Sequence, residues 1–155
     1  MKFSVLAIPL VLLLTSFPQE EKQPVIYVKH LEPPVRYPQL ARQVQFQGTA
    51  IVKLTIAVDG TVLAAKFLTH DQDPQATAHP LLIEDAEKLV KKWTFGCAYC
   101  SSTTPYEKAI KFTYRLEGEG ISYDDTRVAM DLPDEVTITA SPRECDHCPR
   151  KKGTK

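Results

Sequence analysis

Strand, helix, hairpin, helix, strand is the order of elements along this chain, and it predicts an α+β domain. The expected architecture is an antiparallel three-stranded sheet with two helices on one face, followed by a partly ordered C-terminal tail. Three observations carry it. Apolar residues alternate over 49–58, 61–68 and 106–116, as they do in strands buried on one side. Leu82, Ala86, Leu89 and Trp93 recur at intervals of 4, 3 and 4, the stripe of a helix lying on a core. Asp59-Gly60 joins the first two alternating runs and reads as a two-residue hairpin with positive φ at both positions.

From the N-terminus, one Lys precedes an apolar run over residues 3–18. As a helix that run spans about 24 Å, short of roughly 30 Å of hydrocarbon. Pro9 weakens it further as a spanning helix. Residues 1–19 therefore read as a signal peptide or a short uncleaved anchor, which makes the protein periplasmic or exported, with an inner-membrane anchor if the run is retained. Residues 20–33 read as a linker holding a short strand at Val25-Ile26-Tyr27-Val28.

The domain is expected over 34–117. Residues 37–48 read as a short helix: Pro38 suits its first position and Gly48 the left-handed residue just past its end. Leu40, Ala41 and Val44 share one face. In the hairpin that follows, Ala50, Val52, Leu54, Ile56 and Val58 point one way on the outgoing strand. Residues 70–79 form a polar loop with His79 at the entrance of the second helix, which Pro80 opens and which runs to about Trp93. Acids gather early in that helix and Lys88, Lys91 and Lys92 late, complementing its dipole. Residues 96–105 read as a loop. In the closing strand Ile110, Phe112, Tyr114 and Leu116 face one way and Lys111, Thr113 and Arg115 the other.

The composition changes in the tail, 118–155. Between 117 and 135 there are seven acids and one base; between 141 and 155 there are five bases and two acids. Val136-Thr137-Ile138-Thr139-Ala140 alternates like a strand.

At Tyr37-Pro38-x-Leu40-Ala41-Arg42, Gln47-Gly48, the Asp59-Gly60 turn, the helix ending in Trp93-x-Phe95 and the closing strand, the chain resembles the TonB C-terminal domain family. Tyr37, Pro38, Gly48, Gly60 and Trp93 are the fold-signature residues of that resemblance. It implies a periplasmic domain, linked to TonB-dependent transmembrane transport, that grips an extended peptide, the TonB box of an outer-membrane receptor, by strand addition to a sheet edge. The expected edge is the strand over 108–116, with Lys111, Thr113 and Arg115 meeting the partner's side chains. The resemblance also implies a transmembrane helix and a long Pro-rich spacer, and this chain has neither, which favours a stand-alone module over a force transmitter. The segment 134–141, an acidic start followed by β-branched residues and Ala, looks like a TonB box itself. It is a candidate to dock on its own domain's edge or on a second copy in a homodimer.

The four cysteines form two Cys-x-x-Cys pairs, Cys97 with Cys100 and Cys145 with Cys148. Disulfides fit an exported chain; a four-thiolate zinc site and redox-active thiols are the alternatives. A metal- or redox-sensing envelope protein is accordingly the second function class. No other cofactor is indicated. His30, His70, His79 and His147 sit in no recognisable triad, zinc-protease or phosphate-loop pattern, so no catalytic residue is assigned and the chain reads as a binder rather than an enzyme. Lys+Arg and Asp+Glu both number 19, which gives no general attraction to nucleic acid. The membrane is a partner only through an uncleaved N-terminus.

Overall fold

The computed structural model describes residues 22–101, 103–118 and 126–142. The expected signal or anchor at 1–19 lies outside these residues, and so do Cys145 and Cys148, expected in a disulfide or a metal site. Among the described residues, no helix is long and apolar enough to cross a membrane.

Strand β1 (Val25–His30) leads into helix α1 (Gln39–Gln43), then strands β2 (Gly48–Ile56) and β3 (Val62–Phe67). Helix α2 (Pro80–Val90) follows, then β4 (Thr94–Ala98), β5 (Tyr106–Leu116), β6 (Arg127–Asp131) and β7 (Glu135–Ala140). The class is α+β with two helices, as expected. The sheet is not the three-stranded antiparallel one. Five strands in the order β3-β2-β5-β7-β6 form a mixed sheet, and β1 and β4 form a separate two-stranded one. The tail supplies the difference: β7 pairs parallel with β5, and β6 pairs antiparallel with β7.

One apolar cluster holds the molecule together. Ala50, Val52, Leu54 and Ile56 of β2, Ile110, Phe112 and Tyr114 of β5, and Val136, Ile138 and Ala140 of β7 meet Ala41 of α1 and Leu82, Ala86, Leu89 and Val90 of α2. Ile26 and Val28 of β1 pack against this cluster, and Phe95 of β4 belongs to it. Both sheets therefore share one core.

Local chemistry corrects three turn expectations. The hairpin loop is Val58-Asp59-Gly60, with Gly60 N–H donating to Ala57 C=O at 2.9 Å and Ala57 N–H to Thr61 C=O at 2.8 Å. Only Gly60 has positive φ, 94°, so this is a three-residue loop closed by a left-handed residue rather than the two-residue form. Helix α1 ends at Gln43, and Gln45 (φ 57°), not Gly48, takes the left-handed position. Phe46 N–H returns to Ala41 C=O at 2.8 Å and Gln45 N–H to Arg42 C=O at 3.3 Å, a Schellman closure. Gly48 is instead the first residue of β2; a Cβ there would stand 2.9 Å from Thr77 C=O. Finally, α2 stops at Val90 rather than near Trp93, and β4, which pairs with β1, takes the first three residues of the loop expected over 96–105.

Candidate functional site

The sequence predicts an open edge on β5. Sheet order places β5 between β2 and β7, so that edge is filled. Nine register pairs join β5 to β2, from Gly48↔Tyr114 to Ile56↔Tyr106, and six join it to β7, from Lys111↔Glu135 to Leu116↔Ala140. Two further bonds frame the parallel ladder. Lys111 N–H donates to Asp134 C=O and Glu117 N–H to Ala140 C=O, each at 2.9 Å.

The slot that β7 occupies has a polar entrance. Lys108 pairs with Asp134, and Lys111 Nζ lies 3.1 Å from a Glu135 carboxylate oxygen. Thr113 Oγ1 donates to the same carboxylate at 3.4 Å. Lys111, Thr113 and Arg115 stand on the face of the sheet away from the core, as their alternation with Ile110, Phe112 and Tyr114 requires. Lys111 and Thr113 thus touch the occupant of the slot, while Arg115 is exposed.

Its floor is apolar. Val136 and Ile138 are fully buried and Ala140 is 2% exposed. In register they lie beside Phe112, Tyr114 and Leu116. The Tyr37 ring meets Tyr114 edge-on at 5.6 Å, and its hydroxyl donates to Phe46 C=O. Burial pushes the Tyr37 phenol up to about 12. Burial likewise raises the Tyr114 phenol, reinforced by the Asp85 carboxylate, which accepts its hydrogen bond at 3.4 Å. Burial holds the Asp85 carboxyl above its ordinary range.

Arg42 closes the far end. Its side chain, 6% exposed, comes up from α1 and donates through Nε to Ser141 C=O, just past the last residue of β7. On the opposite side Gln47 Oε1 accepts the Leu116 N–H at 2.8 Å. Neither role is visible in the sequence. Arg42 stands out there only as the end of the Tyr37-Pro38 string, and its partner lies 99 residues away.

The signature residues sit around this slot or brace the scaffold behind it. Pro38 has extended backbone and caps α1 rather than opening its first turn. Trp93 is 1% exposed and lies 5.9 Å from Phe112 and 6.5 Å from Phe95, ring to ring. Gly60 admits β4: a Cβ there would stand 1.9 Å from Phe95 C=O. His79, expected at the entrance of α2, accepts the Leu81 N–H through Nδ1 at 3.3 Å and stacks on Phe46.

The family model for the Gram-negative bacterial TonB protein C-terminal matches residues 33–116, more than half of the chain. The chain belongs to the TonB C-terminal family. No curated protein matches it significantly over its sequence. Domains of this family interact with proteins such as outer-membrane receptors, so membership implies an envelope protein with a protein partner. The matched TonB C-terminal residues run from just before α1 to the last residue of β5. Strands β6 and β7 lie beyond them.

The first cysteine pair is remote from the slot. Cys97 and Cys100 have their sulfurs within bonding distance and their Cα atoms 5.6 Å apart, at the end of β4. This local pairing is one of the disulfide pairings the sequence left open, and it differs from the alternative of a single zinc site drawn from all four cysteines. The second pair, Cys145 and Cys148, falls outside the described residues, so its expected disulfide or metal role has no structural counterpart on which to rest. Among the described residues no group of three or more His, Cys, Asp or Glu could hold a metal ion.

Proposed function

We propose that this chain is a non-enzymatic, periplasmic protein-binding module of TonB-dependent transport that takes an extended segment of an outer-membrane receptor by strand addition along β5. The observation that supports it most is that the outer side of β5 accepts an extended segment: residues 135–140 lie there in a six-rung parallel ladder. An edge of this kind supplies affinity through main-chain hydrogen bonds and selectivity through alternate side chains. Lys111, Thr113 and Arg115 provide the polar side of that recognition, and Phe112 and Tyr114 the apolar side.

The test is site-specific photocrosslinking in the intact envelope from position 113, with the crosslinked peptides mapped. A receptor's periplasmic segment crosslinked at this position is the expected result. Crosslinks that never include a receptor would overturn the reading.

One observation keeps the cysteine reading in view. The Cys97 and Cys100 sulfurs are adjacent, which favours a local disulfide over a thiolate set that also draws on Cys145 and Cys148. Intact mass with and without reductant, together with metal analysis of the purified chain, separates a disulfide from a zinc or redox-sensing site.

A further inference from the structure

Deepening that reading, we infer that β7 is a built-in, displaceable occupant of the partner site, and that the partner is an extended peptide of the same chemistry. That chemistry is one or two carboxylates followed by small apolar side chains at every second position, running parallel to β5.

The family match stops at Leu116, the last residue of β5, so within the matched region β5 is the final strand of a three-strand set, β3-β2-β5. The chain then adds two strands of its own on the side of β5 that this set leaves open. β7 is held at both ends by groups from the matched region. Lys108 and Lys111 take the carboxylates of Asp134 and Glu135, and Arg42 takes the carbonyl of Ser141. Between those ends Val136, Ile138 and Ala140 point to the core while Glu135, Thr137 and Thr139 alternate with them. The slot therefore reads three things: negative charge at the start, small apolar bulk at alternate positions and strand direction.

The attachment of β7 to the rest of the molecule is separable. Its ladder to the body runs through β5 alone; on its other side lies only β6, a five-residue strand with four exposed positions. Removing the pair breaks one ladder and leaves the nine pairs between β2 and β5 intact. The other long edge of the sheet is less accessible. Phe67 N–H of β3 is taken by Glu87 Oε1 at 3.1 Å, and Thr61, just before β3, bridges to Thr94 of β4. A segment seeking an open ladder with an apolar floor thus competes with β7 for β5.

The test uses the complete chain carrying a protease site inserted within 119–125, together with a fluorescent synthetic peptide of residues 133–142. Cutting keeps every residue present but unties β6 and β7 from β5. The cut chain is expected to bind the labelled peptide, one per chain, about tenfold or more tighter than the uncut chain, because the binding-competent fraction rises. Lys108→Glu with Lys111→Glu is expected to weaken that binding, and a peptide with Asp134→Lys and Glu135→Lys to recover it. Cut and uncut chains that bind the peptide equally, or a cut chain that binds neither this peptide nor its charge-reversed form, would overturn the inference. Ile138→Pro in the uncut chain, which removes an N–H on the side of β7 that bonds β5, is a second route to the same open state, with the near-ultraviolet signal of Trp93 as the check on folding. A folded Ile138→Pro chain that still excludes the peptide also counts against it. No receptor takes part here, so failure of displacement and failure of receptor binding in the crosslinking experiment are read separately.

Discussion

At Gly60 two demands coincide. The loop needs φ near 94°, and Phe95 C=O lies where a Cβ would be. Gly60→Ala is expected to cost about 2–3 kcal/mol, seen as a lower urea midpoint with an unchanged slope. Tyr37 gives a prediction with a pH signature. Its phenol ionises near 12 in the fold against about 10 when unfolded, so the neutral form is the one the fold prefers. Stability is then independent of this group below pH 10 and is lost as pH rises from 10 toward 12. Tyr37→Phe is expected to flatten that alkaline fall in a pH series of thermal melts, while Tyr114, also raised by burial, keeps part of it. Residues such as these are legible in the sequence as positions but not as roles. Gly60 and Tyr37 stand out there, whereas the neighbours that make them necessary, Phe95 C=O and Phe46 C=O, come only with the fold. Arg42 shows the limit best, because nothing local to α1 announces a carbonyl 99 residues away.

Elements with strong periodicity are readable: the β2–β3 hairpin and β5 stand where the alternation places them, and α2 carries the first three residues of the 4-3-4 stripe, with Trp93 just past its end. β4 is not, since its five residues include Gly96 and its partner β1 lies more than sixty positions back. β6 escapes because its apolar residues, Val128-Ala129-Met130, are consecutive and so show no alternation amid the acidic stretch. β7 is readable as a strand, but as part of a tail rather than of the main sheet. Its energetics are close to balance. Burying Val136 and Ile138 contributes about 3–6 kcal/mol. Fixing the backbone of its six residues costs about 6–12 kcal/mol. Ladder bonds at about 1 kcal/mol each offset most of the remainder. The two ion pairs at its entrance add about 1 kcal/mol or less apiece and weaken with salt. Native-state hydrogen exchange is therefore expected to show β7 amides opening well before those of β2, by a route independent of global unfolding. Equal protection in both strands would mean that β7 leaves only when everything does.

For the whole molecule the sheet's order matters more than its composition. A three-strand set ending in β5 would present Lys111, Thr113 and Arg115 beside unpaired main-chain groups, with Phe112 and Tyr114 partly uncovered. The two added strands remove that exposure. Deleting residues 118–155 is expected to convert a well-behaved chain into one that self-associates with rising concentration, measured by sedimentation, as uncapped strands pair with each other. A truncated chain that stays monomeric across the concentration range would show that β5 does not need covering. The three-stranded expectation fails for a related reason: apolar alternation marks a strand but not its neighbours, and each β7 residue pairs with a β5 residue 24 positions earlier, as in Lys111↔Glu135.

Leu116 and Arg127, the two ends of the connection between β5 and β6, lie beside Ala140 and Thr139, at the same end of β7. The tether therefore has little distance to span, and it presents β7 to its slot at an effective concentration on the order of millimolar. A free segment in dilute solution competes poorly against such odds. A segment fixed to a receptor and confined in the same narrow compartment does not face the same handicap, because it too is locally concentrated. The parallel placement of one short strand would thus act as a threshold, rejecting stray peptides while yielding to a partner held close by.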